Sequence, residues 1–124
     1  MSNTPVPAAG TNLSILVGVL RRAPELRDLP SGEHVLSLEL TVRAEGVPAE
    51  SVPIAWVGAP ASATRWVAGE ELLVVGRVRR RFFRSSGSTQ SRTEVVAASA
   101  VPTRRAATAS KVLRAALDGA QGRL

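Results

Sequence analysis

Alternating apolar and polar positions predict five β-strands in this chain. The clearest is His34–Val42, where Leu36, Leu38, Leu40 and Val42 share one face and polar side chains occupy the other. This is the pattern of a strand that buries one face. Shorter or less regular alternation predicts the other strands over residues 13–20, 51–57, 70–83 and 93–101.

Two of these strands have apolar faces that we assign to the core. Val52, Ile54 and Trp56 share one face of residues 51–57, and we place Trp56 in the core, with the DNA-binding face as the alternative. In residues 70–83 the even positions are apolar at Leu72, Val74, Gly76 and Val78. We also place Phe82 in the core, and we expect Trp66 to pack against the core.

The segments between the strands have the composition of turns and short helices. Proline and glycine mark residues 21–32 and 43–50 as loops, and residues 84–92 form a polar hairpin tip. The Ala-rich residues 59–67 predict a short helix. Near the C-terminus, Ser110 as N-cap and Gly119 as the last residue bound a second short helix.

Five strands with a short helix between the third and the fourth predict an all-β fold of the OB type. This fold is a small, partly open five-stranded barrel that binds oligonucleotides. The barrel covers residues 12–102. Residues 1–11 are a flexible N-terminal arm, and residues 103–124 are a tail or short helix.

The charge of the chain points to a polyanionic partner. Sixteen Lys and Arg residues stand against ten Asp and Glu, so the formal net charge is +6. Lys111 is the only lysine. Arginine favours bidentate phosphate contacts and stacking on bases, so we expect nucleic acid ahead of an acidic membrane surface.

Several other classes of protein do not fit the sequence. The chain contains no cysteine and only one histidine, His34, for which we expect a surface or hydrogen-bonding role. It has no catalytic motif and no metal-ligand cluster, so we predict no enzyme, no catalytic residue, no metal and no cofactor. No apolar run reaches membrane-spanning length, and no signal peptide opens the chain. We therefore expect a cytoplasmic, nucleoid-associated protein.

Arginines cluster on one face of the fourth predicted strand. Single-stranded DNA (ssDNA) is bound without sequence preference by cationic grooves that also offer flat side chains for base stacking. Residues two apart on a strand share a face, so Arg77, Arg79, Arg81 and Phe83 lie together. The predicted DNA-binding residues also include Arg84 and Arg92 beside the hairpin tip, and Arg21, Arg22 and Arg27 from the first strand and the loop after it.

Three segments in the correct order resemble the bacterial single-stranded DNA-binding protein (SSB) family. They are VGVLRRAPELRDLPSG at residues 17–32, GEELLVVGRVRRR at residues 69–81 and TEVVA at residues 93–97. The resemblance implies an OB barrel that assembles as a tetramer, with a dimer as the alternative. It also implies ssDNA binding in replication, repair or recombination, with Phe83 as a stacking aromatic.

The chain also departs from that family. Aromatic residues make up only 3% of it, and none is tyrosine. Around Val52 and Pro53 the family's aromatic and histidine are absent, and the chain does not end in an acidic tail. These differences resemble those of a short accessory paralogue or of a mobile-element version, for which we expect no replication partners that depend on an acidic tail.

Three alternatives remain open from the residues alone. The low aromatic content favours an OB-fold protein–protein module with weak nucleic-acid binding, against which the arginine face of the fourth strand argues. A dimeric primosomal-type OB protein would bind ssDNA through charge alone. An RNA-binding OB protein is not separable by sequence, because stacking grooves accept either sugar.

Overall fold

The computed structural model describes residues 10–123, where the chain forms six strands, a 3-10 helix and one α-helix. The strands are β1 (Ser14–Leu20), β2 (Glu25–Asp28), β3 (His34–Val42), β4 (Glu50–Val57), β5 (Glu71–Ser85) and β6 (Ser88–Pro102). The 3-10 helix covers Ala61–Arg65, and the α-helix, α1, covers Ala106–Gln121. Residues 1–9 of the predicted N-terminal arm lie outside the described residues.

Backbone hydrogen bonds join the strands into one sheet that closes on itself. The order is β1-β5-β6-β4-β3-β2, and β1 pairs a second time with β3. This second pairing, which sets Val19 opposite Thr41 and Leu20 opposite Leu40, brings the sheet round into a ring. All pairs are antiparallel except β4 with β6. The prediction of a mainly β fold is confirmed, but the described chain has six strands rather than five.

The additional strand, β2, lies in a segment that the sequence predicted to be a loop. All four of its residues are exposed, so it shows no apolar alternation that a sequence pattern could detect. It is extended because it pairs with β3 along its whole length, with Leu26 opposite Leu36.

The Ala-rich segment between β4 and β5 forms a 3-10 helix that is shorter than the segment over which the sequence predicted a short helix. It is only five residues long, and the residues on either side of it, Pro60 and Trp66, are extended. Ala63 in its middle is fully buried against the core. Short 3-10 helices of this length commonly serve as connectors.

The core lies inside the ring and is built from the alternating faces. Leu36, Leu38 and Leu40 of β3 are at most 4% exposed, and Ile54 and Trp56 of β4 are 2% and 7% exposed. Full burial of an aliphatic side chain of this size contributes about 1.5–3 kcal/mol. The predicted inward faces of both strands are confirmed, as is the inward position of Trp56.

A β-bulge in β6 changes which residues of that strand face the core. Ala98 has no partner on β5, and the register shifts by one residue beside Gly76. Val95 and Ala97 belong to the core before the bulge, and Ala100 packs against the same core after it. Gly76 fits the close approach of the two strands, because a Cβ there would lie 2.2 Å from a carbonyl oxygen of β6.

Helix α1 covers the outer face of β5 and β6. Leu73, Val75 and Val101 are buried there although they lie outside the core cluster, and α1 contacts both strands that carry them. The half-buried residues of α1 recur at helical spacing, the pattern of a helix that packs through one stripe. They are Ala109, Val112, Leu113, Ala116 and Ala120.

The helix is longer than the sequence predicted. It begins at Ala106 rather than after Ser110, and it continues through Gly119 to Gln121. An isolated helix of about ten residues would be marginal in water. Packing on β5 and β6 supplies the stabilisation that local sequence signals lack.

Strands β5 and β6 continue beyond the core as a two-stranded hairpin. Pairing persists to Ser85 opposite Ser88, so both strands extend into the segment predicted to be a polar tip. The turn consists of Ser86 and Gly87 alone, both with positive φ (51° and 81°), as in a type I′ turn. We call the part of the hairpin beyond Val78 the β5–β6 arm.

Candidate nucleic-acid interface

A groove of about 350 Å³ lies on the outer side of the sheet, where β3 and β4 meet the β5–β6 arm. Apolar side chains and backbone form much of its floor, and arginines from β2, β5 and β6 form its walls. The lining residues are Arg27, Leu29, Val35, Ser37, Leu38, Pro53, Ile54, Ala55, Val57, Arg79, Arg81, Arg92 and Glu94. Four arginines therefore face one carboxylate.

The carboxylate, Glu94, is the only buried charged side chain in the described chain, at 6% exposed. Arg79 donates a hydrogen bond to it, and Arg81 donates another from Nε to Oε1 at 3.1 Å. Burial opposes ionisation of Glu94, but the hydrogen bonds and the positive charges of the two arginines together outweigh it and hold the pKa of Glu94 below its usual value. The Nε atom of Arg79 is itself buried without a partner among the described residues.

Two of the groove arginines stand directly opposite each other. Arg81 of β5 pairs with Arg92 of β6 in the register of the hairpin. Like charges at directly opposite positions of a sheet destabilise it. Glu94 compensates Arg81, but Arg92 has no ion pair within residues 10–123. The groove wall thus keeps an uncompensated positive charge.

A second carboxylate, Glu39, neutralises the arginines that follow β1. Arg22 donates a hydrogen bond to Glu39 Oε2, and Arg21 Nη1 lies 4.0 Å from the same oxygen. A hydrogen bond from Ser51 contributes most to lowering the pKa of Glu39, and Arg22 and Arg21 lower it further. This cluster lies on the outer face of β3 and β4, beyond the groove along the same strands.

The remaining predicted arginines are more dispersed. Arg27 reaches the groove while also pairing with Glu25, with Nη2 3.5 Å from Oε2. Arg84 donates to the Gly87 carbonyl oxygen at 3.1 Å and so supports the turn. Arg77 is exposed and does not line the groove. The structure brings Arg27, Arg79, Arg81 and Arg92 together, Arg21 and Arg22 into a separate pair, and leaves Arg77 and Arg84 outside both.

The two phenylalanines of the arm differ in exposure, and Phe82 does not have the position that the sequence predicted. Phe83 is half-buried, and the Arg81 guanidinium carbon lies 5.4 Å from the centroid of its ring. Such a pair places a cation over an aromatic face. Phe82 is 67% exposed, so its predicted place in the core is wrong. It lies beyond the end of the core, on the face of β5 opposite the one that carries Arg79 and Arg81.

The tryptophans belong to the core and not to the groove. Trp56 and Trp66 stack with ring centroids 6.1 Å apart and an angle of 27° between the rings. The predicted packing role of Trp66 is confirmed. The outward residue beside Trp56 is Val57, which offers the groove an aliphatic surface.

Comparisons with known proteins do not identify the chain: no family model matches it, and no curated protein matches it. Neither helix between residues 10 and 123 has the length and apolarity needed to cross a membrane. His34 has the hydrogen-bonding role predicted for it, with Nδ1 2.6 Å from Asp28 Oδ1.

Sequence reasoning missed the role of Glu94, although a signal for it is present. The Ser86–Gly87 dipeptide is a hairpin turn signal, and a two-residue turn fixes the cross-strand partners on both sides of it. Counting outward from that turn sets Arg79 opposite Glu94 and Arg81 opposite Arg92. Both pairs are present in the structure.

Proposed function

We propose that this chain binds single-stranded nucleic acid in the groove, with ssDNA as the preferred ligand and no strong sequence preference. The observation that carries the proposal is the opposition of Arg81 and Arg92 in a groove that four arginines and a single carboxylate line. Local rules of sheet stability are broken where function requires it. A phosphate between the two guanidinium groups would relieve their repulsion.

The groove also offers surfaces for bases. Proteins that bind single-stranded nucleic acid combine a cationic track for the phosphate backbone with flat side chains on which bases stack. Beside the arginines lie the Arg81–Phe83 pair on the arm and the apolar side chains of Pro53, Ala55 and Val57. These surfaces carry no pattern of donors and acceptors specific to one base, which supports binding without strong sequence preference.

The fold supports placing this chain among OB-type proteins of the SSB kind. The ring of strands, the connector between β4 and β5 and the long β5–β6 hairpin suit a partly open barrel with a binding groove on its side. Within this proposal the protein is a short SSB paralogue that acts in replication, repair or recombination. It assembles as a tetramer or a dimer.

A salt titration tests the proposal. Fluorescently labelled oligo-dT, matched RNA and duplex DNA would be titrated with the protein at several salt concentrations. On single strands each neutralised phosphate contributes about 0.7 to the slope of log affinity against log salt concentration, so three phosphate contacts give a slope of about −2. Equal affinity for duplex DNA, or an affinity that does not change with salt, would contradict the proposal.

Matched variants locate the site on the arm. Arg92→Gln removes the uncompensated groove charge, whereas Arg80→Gln removes an arginine from the opposite face of β5. We expect Arg92→Gln to reduce the salt slope by about 0.7 and Arg80→Gln to change it less. Phe83→Ala should weaken binding by about 1–3 kcal/mol, the value of one stacked base, with Phe82→Ala as its control.

The second candidate function is an OB-type assembly module with weak, charge-only binding. It is favoured by the position of Arg81 over the Phe83 ring, which occupies one of the two faces on which a base would stack. Under this alternative Phe83→Ala leaves ssDNA affinity unchanged while Arg92→Gln still lowers it.

A further inference from the structure

A second group of arginines surrounds a pocket away from the groove. Arg65 ends the 3-10 helix, and Arg104 and Arg105 immediately precede α1. All three line a pocket of about 420 Å³ together with Ser62, Trp66, Val67, Glu70 and Pro102. None of these arginines was among the residues that the sequence predicted to bind DNA.

The pocket keeps more positive charge than it neutralises. Arg104 Nε lies 3.2 Å from Glu70 Oε1. Arg65 and Arg105 form no ion pair with any residue between 10 and 123. Three arginines therefore face one carboxylate, so the pocket attracts an anion.

Three of the residues that line the same pocket are apolar. Trp66 is half-buried, Val67 is exposed and Pro102 is fully buried at its base. Uncompensated cations beside exposed apolar surface suit a ligand that carries both an anionic group and an apolar body. A nucleotide has this combination in its phosphate and its base.

Backbone hydrogen bonds connect this pocket to the candidate interface. Leu20 N donates to Glu70 O, and Gly69 N donates to Leu20 O, each at 2.9 Å. The next residue, Arg21, donates from its backbone N to Glu39 O at 2.9 Å. The Arg21–Arg22 pair therefore lies between the outer face of β3 and β4 on one side and the residues of the pocket on the other.

We propose that the Arg65–Arg104–Arg105 pocket is a second phosphate-binding site for the same nucleic-acid strand. The strand leaves the groove, passes Arg21 and Arg22, and places further phosphates in the pocket. This inference rests on the proposed function and extends its site to residues on the 3-10 helix and before α1.

The extended path predicts that the length of the strand decides which residues matter. A short oligonucleotide fills the groove alone, whereas a longer one also reaches the pocket. OB folds contact between about 4 and 16 nucleotides depending on the protein. Oligo-dT probes of about 5 and about 16 nucleotides therefore separate binding at the groove from binding along the whole path.

The test compares two double variants that remove the same charge. Arg65→Gln/Arg105→Gln alters the two unpaired arginines of the pocket and leaves the Arg104–Glu70 pair intact. Arg80→Gln/Arg114→Gln is the control, because neither residue lines the groove or the pocket. All four side chains are exposed, and thermal melts of the full chain verify that both variants are folded.

We expect the pocket variant to bind the longer probe on the order of 10-fold more weakly, with a salt slope smaller by about 1.4, equivalent to two phosphates. Its affinity for the short probe should match that of the control. Equal losses on both probes, or a loss no larger than that of the control, would overturn the inference. A fall in affinity for an acidic peptide, without one for the longer probe, would overturn it in favour of a protein ligand. Wild-type protein that binds neither probe would instead refute the proposed function itself.

Discussion

The two halves of β5 have the same backbone and opposite surroundings. From Leu72 to Gly76 five consecutive residues are buried, because the core covers one face and α1 covers the other. From Arg77 to Ser85 no residue is fully buried, since the arm has extended beyond both. The comparison shows that burial along a strand is set by how many of its faces are covered. The apolar side chains of Val78 and Phe82 illustrate this, because they are 46% and 67% exposed where the core no longer covers the strand.

Charge follows the same division. The buried half of β5 carries no ionisable side chain between Leu72 and Gly76, whereas the exposed half carries five arginines, at positions 77, 79, 80, 81 and 84. Glu94 is the one carboxylate that pairs with this half in the described chain. Stability is therefore concentrated at one end of the strand and positive potential at the other.

Leu72→Ala and Phe82→Ala give the largest expected contrast between the halves. Leu72 is fully buried, so its truncation should lower the free energy of unfolding by about 2–5 kcal/mol through lost transfer energy and a cavity. Phe82→Ala should change it by no more than about 0.5 kcal/mol, as for an exposed position. Urea denaturation measures both. Similar losses for the two variants would show that the arm is packed in solution.

Gly76 in the buried half of β5 and Gly87 in the turn that follows the exposed half provide an intermediate contrast. At Gly76 a Cβ would lie 2.2 Å from a backbone oxygen of β6, so Gly76→Ala forces the two strands apart and should cost about 1–3 kcal/mol. At Gly87 there is open space, but φ is +81°, so Gly87→Ala should cost about 1 kcal/mol through backbone strain alone. Thermal melts of the two variants test whether Gly76→Ala is the more destabilising. A larger loss for Gly87→Ala would mean that the turn holds the core together.

Glu94→Gln addresses the boundary between the halves and should lower the free energy of unfolding by only about 1 kcal/mol at neutral pH. The effect is small because Arg79 and Arg81 remain partly exposed. The same variant removes the negative charge of the groove, so its affinity for ssDNA should rise. Unchanged or lower affinity would contradict the view that Glu94 competes with phosphate.

The acid response of the same variant follows from the lowered pKa of Glu94. A carboxyl with a folded-state pKa below its unfolded value stabilises the fold above about pH 4.3, and that contribution is lost as the pH falls further. Wild-type stability should therefore fall below this pH, and the stability of Glu94→Gln should fall less steeply. Unfolding curves measured at several pH values between neutral and strongly acidic conditions check this. Glu39, whose pKa is also lowered, accounts for part of the fall that remains.

The sequence predicted the elements whose burial has the period of a strand. In β3 and β4 one face meets the core and the other does not, so Leu38 and Ile54 could be placed without coordinates. The basic face of β5 was also visible, because Arg79 and Arg81 lie two residues apart. Alternation of apolar and polar residues indicates a strand that is buried on one face only, and these strands are buried in that way.

The residues that the sequence misplaced or left unassigned lie where burial depends on distant segments. Phe82 is exposed because the core ends before it, and no local pattern marks that end. The buried outer residues Leu73 and Val75 depend on α1, whose packing is a tertiary contact more than twenty residues away. The pocket at Arg65 and Arg105 joins two segments that only the folded chain brings together.

The two-residue turn at the end of the arm has a consequence for how such a protein can change. Each residue of β5 there has a partner on β6, so adding one residue to each strand lengthens the arm by about 3.4 Å. Adding a residue to one strand alone would send its following side chains to the opposite face. Two added pairs restore the original facing and leave the core untouched. Reach is therefore an adjustable property of this scaffold, and an engineer could vary it in discrete steps independently of folding.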